Sequence, residues 1–103
     1  MQIKQTNRFR KAYKKLHLNQ LIEVNEAIKK VIKNPELGEQ KKGNLSWLRV
    51  YKFNVLGQLT LLGYSIEKNE EIILTFVDLG SHEKFLQRLE LDHWKPPNSD
   101  PAP

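Results

Sequence analysis

The chain contains no cysteine, so disulfides and thiolate metal sites are excluded from the outset. It has no apolar run near the roughly 20 residues needed to span a bilayer. Its first ten residues, MQIKQTNRFR, lack the apolar stretch of a signal peptide, which points to a cytoplasmic protein that does not engage a membrane. Acidic residues are missing at the beginning: none precedes Glu23, whereas Lys4, Arg8, Arg10, Lys11, Lys14 and Lys15 all do. No phosphate loop or dinucleotide fingerprint is present, since KKGNLS (residues 41–46) has a single glycine and follows no strand-like run. The three histidines, His17, His82 and His93, lie in different segments with no carboxylate pair at ligand spacing, so no metal and no cofactor is expected. Ser46, Ser65 and Ser81 lack the setting of a nucleophile elbow.

What is present suffices for one modest core: 103 residues, 39% hydrophobic and 28% charged. The net charge of +5 is divided unevenly. Residues 1–52 carry 13 lysines and arginines against 4 acids, whereas residues 53–103 carry 4 against 8. A one-sided basic surface attracts polyanions, because each neutralised phosphate releases condensed counterions. Solvated helix faces and an acidic protein partner are equally compatible with these counts.

The periodicity changes along the chain. QIKQT alternates weakly, as a short edge strand does. From Asn7, Phe9, Ala12, Tyr13 and Leu16 fall at helical spacing with basic residues between them. A second helix is predicted after the LHLNQ break, with Asn19 as N-cap and Leu21, Val24, Ala27, Ile28, Val31 and Ile32 on its buried side. NPELGE ends it, since proline disfavours the helical conformation of Asn34. Three strand-like runs follow, WLRVYKFNV, QLTLLGYSI and EIILTFVDL, joined by turns at LG and EKNE. Alternation puts Trp47, Arg49, Tyr51, Phe53 and Val55 on one face and Leu48, Val50, Lys52 and Asn54 on the other. After Gly80 a last helix is predicted, with Ser81 as N-cap and Phe85, Leu86 and Leu89 on its apolar side. The tail from Trp94 holds four of the five prolines and is expected to be disordered, apart from a contact by Trp94 itself. No internal repeat is visible. The resulting order is β-α-α-β-β-β-α: an α+β fold with an N-terminal helical hairpin packed on a three- to four-stranded, mainly antiparallel sheet.

Among the titratable residues in and around that sheet are Lys41, Lys42, Arg49, Lys52, Tyr64, His82 and Lys84. Such a set can cleave RNA without metal. The 2′-OH of the substrate attacks the adjacent phosphate, so the protein has only to align the strand, neutralise charge and move protons. Histidine suits proton transfer because free imidazole titrates at about 6.5. Tyr64 or Phe85 offers a ring for stacking a base. Each residue also has an ordinary reading. His82 is a first-turn helix residue, Arg49 a cross-strand ion-pair partner, Tyr64 a core side chain, and Lys41 and Lys42 solvated loop cations.

The order of the pieces FRKAYKKL, VNEAIKKVIKNPELGEQKKGNLSWLRVYKF, LTLLGYSI and LGSHEKFLQRL resembles the RelE/ParE family of bacterial type II toxins over nearly all of residues 6–90. The resemblance implies a single toxin domain over residues 1–91, a separate tail over 92–103, and a cognate antitoxin that covers the toxin. It implies either of two activities. RelE-like members cut mRNA on the ribosome by 2′-OH attack without metal or cofactor, and ParE-like members inhibit DNA gyrase. Arg49 and Lys52 match the basic positions of the strand after the KGNL loop, and Tyr64 matches the tyrosine of the next strand. His82 stands where histidine-using YafQ- and HigB-like members keep a catalytic histidine, so that branch is favoured over the ParE-like one. Where RelE-type members carry an arginine just before the tyrosine, this chain has Thr60 and Leu61. The implied site is His82, Arg49, Tyr64 and Lys52 for catalysis, with Lys42, Lys84 and Phe85 holding RNA. Strict alternation, however, sends Arg49 and Lys52 to opposite faces unless a bulge intervenes.

Overall fold

A computed structural model of the chain describes residues 1–85. The expectations for Leu86, Leu89, His93, Trp94 and the proline-rich tail, with the boundary at residue 91, fall outside the described residues. In order, the elements are β1 (Gln2–Gln5), α1 (Asn7–Lys14), α2 (Leu18–Lys33), β2 (Glu39–Gln40), β3 (Arg49–Val55), β4 (Gln58–Lys68) and β5 (Ile72–Ser81). A 3-10 turn, Gly43–Leu45, separates β2 from β3, and residues 82–85 begin a final helix. The strands make one sheet in the order β1-β5-β4-β3-β2. Only the β1–β5 pair is parallel.

This is the α+β hairpin-on-sheet architecture that the periodicity indicates, with five strands instead of three or four. The extra strand is β2, whose two exposed residues pair with Arg49 and Val50. Helix α2 starts at Leu18, so its flanking residue is His17 and not Asn19. Gln20 explains the shift: its side-chain oxygen accepts the His17 N–H at 2.8 Å, satisfying the backbone one residue before the helix. Trp47 precedes β3, so strand alternation does not reach it. It packs with Leu48, Val50, Leu61 and Phe85, on the opposite side from the one expected.

Both faces of the sheet are covered. On one, Phe9 of α1 and Val24, Ala27 and Val31 of α2 pack on Leu62, Tyr64, Leu74, Phe76 and Leu79. Each valine, leucine or phenylalanine among them contributes about 1.5–3 kcal/mol when fully buried. Thr6 fixes the entry to α1: its hydroxyl accepts the Phe9 N–H at 3.1 Å and donates to the Val77 carbonyl at 2.6 Å, tying helix start to β5. Tyr13 donates to Asn25 Oδ1 at 2.7 Å and joins the two helices. On the opposite face, Phe85 lies over Gly63, where an added Cβ would stand 2.8 Å from its ring.

The β3–β4 connection is a two-residue turn closing the Val55–Gln58 pair. Both turn residues have positive φ, Leu56 at 51° and Gly57 at 80°. Such a primed turn matches the sheet twist, but a leucine in the left-handed region costs about 1–2 kcal/mol. Among the described residues no helix is long and apolar enough to cross a membrane.

Candidate functional site

The β3–β4 register runs without interruption from Arg49↔Tyr64 to Val55↔Gln58, so alternation within β3 is strict. Arg49 shares the hairpin side with Tyr51, Phe53 and Val55. Lys52 shares the other side with Val50 and is exposed. The two basic residues expected to act together therefore face opposite ways.

Arg49 is engaged by backbone. Its Nη1 donates to the Gly38 carbonyl at 2.7 Å and to the Glu36 carbonyl at 3.2 Å. Its strand neighbour Tyr64 is fully buried. The phenol donates to the Pro35 carbonyl at 2.7 Å and accepts the Gly38 N–H at 2.7 Å. Residue 38 has to be glycine for this contact, because an added Cβ would lie 2.6 Å from the Tyr64 hydroxyl. Together the two side chains hold the segment that leaves α2 against the sheet. Burial pushes the Tyr64 phenol above its ordinary value, while the Gly38 N–H and the Arg49 charge oppose that shift. At the rim, Lys68 Nζ meets Glu36 Oε1 at 3.0 Å, and that hydrogen bond and charge hold the Glu36 carboxyl below its usual range. The expected part of Tyr64 in positioning substrate or moving a proton does not fit this placement. Its hydroxyl is out of solvent and already has both a donor and an acceptor partner.

A different set meets at the other end of the sheet. Ser81 pairs with Thr60 at the last rung between β4 and β5. Its Oγ accepts the Lys84 N–H at 3.4 Å, the N-cap arrangement expected for the helix that follows. His82 is thereby set on the first turn, half-buried, and Lys84 is exposed. Lys84 lines a cleft of about 470 Å³ together with Arg8, Lys11, Lys15, Thr60 and Ser81. Thr60 and Tyr64 are four residues apart on β4, so the two ends are separated by about 13 Å along the strand.

The remaining expected residues fall elsewhere. Lys52 lies in a row with Leu61 and Gly80 on the face away from the hairpin; two strand spacings put it roughly 10 Å from the Gly80 backbone. Lys42 is exposed at the start of the 3-10 turn, beyond β2. Phe85, expected to stack a base, is fully buried and anchors the helix to the sheet instead. The structure thus brings Lys84 together with Arg8, Lys11 and Lys15, which were not singled out as site residues, while His82 follows the lining residue Ser81 without lining the cleft itself. The signal for those three was visible, since positions 8, 11 and 15 recur on one side of a helix. Among the described residues no three histidine, cysteine or carboxylate side chains converge as a metal centre.

A family model described as the ParE-like toxin of type II bacterial toxin–antitoxin systems matches residues 3–90. Among solved structures, the chain is similar to RelE in the intact E. coli RelBE toxin–antitoxin complex, at 16% identity and a TM-score of 0.62 over 78% of this chain and 94% of that one. It is likewise similar to isolated E. coli RelE, at 15% identity and a TM-score of 0.61 over 85% and 97%. At these identities the likeness is one of fold. No curated protein matches the chain.

Proposed function

The chain belongs to the ParE-like toxins of type II bacterial toxin–antitoxin systems, and from that premise we propose that it is a metal-independent, ribosome-dependent mRNA endoribonuclease that stops translation. The observation carrying this reading is the position of His82, half-buried at the end of β5, one residue from the lining of a basic cleft. An imidazole, a side chain able to give or take a proton, close to a cationic lining is what phosphodiester transfer needs.

In this reading the 2′-oxygen of a bound nucleotide attacks the adjacent phosphorus and the bond to the 5′-oxygen breaks. The products are a 2′,3′-cyclic phosphate and a free 5′-hydroxyl. The proton lost by the 2′-hydroxyl and the proton gained by the 5′-oxygen balance, so no metal-bound water is required. His82 moves one of these protons. Lys84, and Lys52 from the sheet face away from the helical hairpin, neutralise the charge that builds on the phosphate. Arg49 and Tyr64 support the sheet from the far end without touching RNA, and Lys42 contributes at most to docking on ribosomal RNA. Its protein partner is a cognate antitoxin, as in the RelBE complex, and its working place is the cytoplasm, where ribosomes and mRNA are.

The test is primer extension on an mRNA translated by purified ribosomes. Wild type should give cuts at fixed codon positions, and His82→Ala should lose them by at least about a hundredfold, the usual contribution of acid–base catalysis, with its melting temperature unchanged. No cuts from a folded wild-type protein would contradict the proposal. The ParE-like character of the family favours the second reading, inhibition of DNA gyrase without nuclease activity. In that case supercoiling by purified gyrase would be blocked and His82→Ala would block it equally.

A further inference from the structure

The helical hairpin has an apolar stripe on the side turned away from the sheet. Leu18 and Ile22 lie one turn apart on α2, 82% and 68% exposed, the two most exposed large apolar side chains among the described residues. Val24, Ala27 and Val31 form the buried side of the same helix. Leu18 and Ile22 stand roughly 120° and 160° round the axis from Val24, so neither can reach the core. The flanks of this stripe differ in charge. Tyr13 donates to Asn25 Oδ1 and so fixes the side of α2 on which α1 lies. Arg10 and Lys14, exposed one turn apart on α1, border the stripe from that side. Glu23 and Glu26, exposed on α2, border it from the other. Among the described residues Arg10, Lys14 and Glu23 make no ion pair; the recorded ones are Lys29–Glu26 and Lys68–Glu36.

An occupant of the stripe has to be apolar at its centre, acidic toward α1 and basic toward the far flank. A uniformly acidic segment would meet Glu23 and Glu26, and a uniformly basic one Arg10 and Lys14; like charges in contact oppose binding. A second copy of this chain has the required order once it is turned about a two-fold axis parallel to α2. That rotation lays Leu18 on Leu18 and Ile22 on Ile22, and brings Arg10 of each copy to the flank that holds Glu23 of the other. An antiparallel pair would set cations over cations. The apolar spacing agrees with the parallel choice, since leucine followed four residues later by isoleucine is the d-to-a step of parallel two-stranded coiled coils. We propose that the outer side of the hairpin is a self-association surface, through which two copies pair with α2 parallel to α2 around Leu18 and Ile22. The seam is short. Its next positions are Asn25, already bonded to Tyr13, and Lys29, which would face its own counterpart. Two turns of helix bury well under the roughly 1,200 Å² of a stable interface, so the dimer is a transient one. Arg8, Lys11 and Lys15 line the cleft from the opposite flank of α1, and pairing leaves that cleft open.

The test is sedimentation velocity of the purified chain over a concentration series. Wild type should pass from monomer toward dimer between about 10 µM and about 1 mM, the range of a transient contact. Ile22→Asp, at an exposed position, should keep the wild-type melting temperature and stay monomeric throughout. Arg10→Glu and Glu23→Arg should each weaken the dimer by about tenfold, and the double exchange should recover most of that loss by restoring opposite charges across the axis. Wild type that is monomeric at the highest concentration would overturn the proposal. So would Ile22→Asp that dimerises like wild type, which would put the contact elsewhere on the molecule. A double exchange weaker than either single one would contradict the parallel arrangement. Monomeric wild type that binds an antitoxin which Ile22→Asp fails to bind would give the stripe to that partner instead of a second copy. None of the substituted residues lines the cleft, so the nuclease reading stands or falls separately, on primer extension.

Discussion

The two ends of the β3–β4–β5 sheet carry similar residue types in opposite conditions. At the end near α2's exit, Arg49 and Tyr64 direct their polar atoms into the backbone of Pro35, Glu36 and Gly38. The phenol there is buried with both its partners in place, and the guanidinium Nη1 is occupied by two carbonyls. At the other end, His82 is half-buried and Lys84 is exposed beside a basic cleft, with Lys11 and Lys15 facing it across the space. A basic or phenolic side chain in a sheet is therefore a poor marker of chemistry by itself. What distinguishes the two ends is whether the polar groups already have protein partners, and that distinction separates a structural lock from a reactive surface.

Tyr64→Phe tests the lock and should have the largest effect on stability. It orphans the buried Gly38 N–H and the half-buried Pro35 carbonyl and should cost about 2–3 kcal/mol in denaturant unfolding. The pH dependence has a defined sign. The folded phenol ionises above its ordinary value, so its contribution is complete below about pH 10 and is lost as pH rises through the folded value. Wild type should show this alkaline loss and Tyr64→Phe should not; an identical alkaline limb in both proteins would mean the phenol is not held as described.

Leu56→Asn probes the opposite end, where the turn beside the cleft is strained. Asparagine tolerates a φ of 51° and should stabilise the protein by about 0.5–1 kcal/mol, or a few degrees in melting temperature. A fall in melting temperature would show that Leu56 makes a compensating contact. Glu36→Gln should have the smallest effect of the three, since its ion pair with Lys68 is exposed. Because the folded Glu36 carboxyl lies below its usual range, the difference from wild type should exist at neutral pH and vanish as pH falls below about 4. A difference that grows in acid would have the wrong sign.

Much of the architecture was legible in the sequence. Helical spacing marks α1 and α2, the Leu56–Gly57 turn lies where two strand-like runs meet, and Ser81 caps the final helix as its position suggests. Alternation also separated Arg49 from Lys52 correctly, because no bulge interrupts β3. What escaped notice depends on contacts distant in sequence. Tyr64 meets Pro35 and Gly38 across 29 and 26 positions, and no local pattern announces a phenol that is fully bonded. Strand β2 is two exposed residues, too short for alternation to register. The cleft joins α1 to a residue more than 70 positions later, so its cations read locally as a solvated helix face. Phe85 misled for a related reason: an aromatic after the last strand suits stacking a base or filling a core, and the space above Gly63 decides for the core.

The most direct test of the division between the two ends is to assay Tyr64→Phe and His82→Ala side by side in the ribosomal primer-extension system, at a temperature where both are folded, with cleavage expressed per folded molecule. The account predicts that Tyr64→Phe, though less stable, cuts at close to the wild-type rate, and that His82→Ala, as stable as wild type, does not cut. A folded Tyr64→Phe that is silent beside a His82→Ala that cuts normally would contradict it, moving the chemistry to the end of the sheet assigned here to structure.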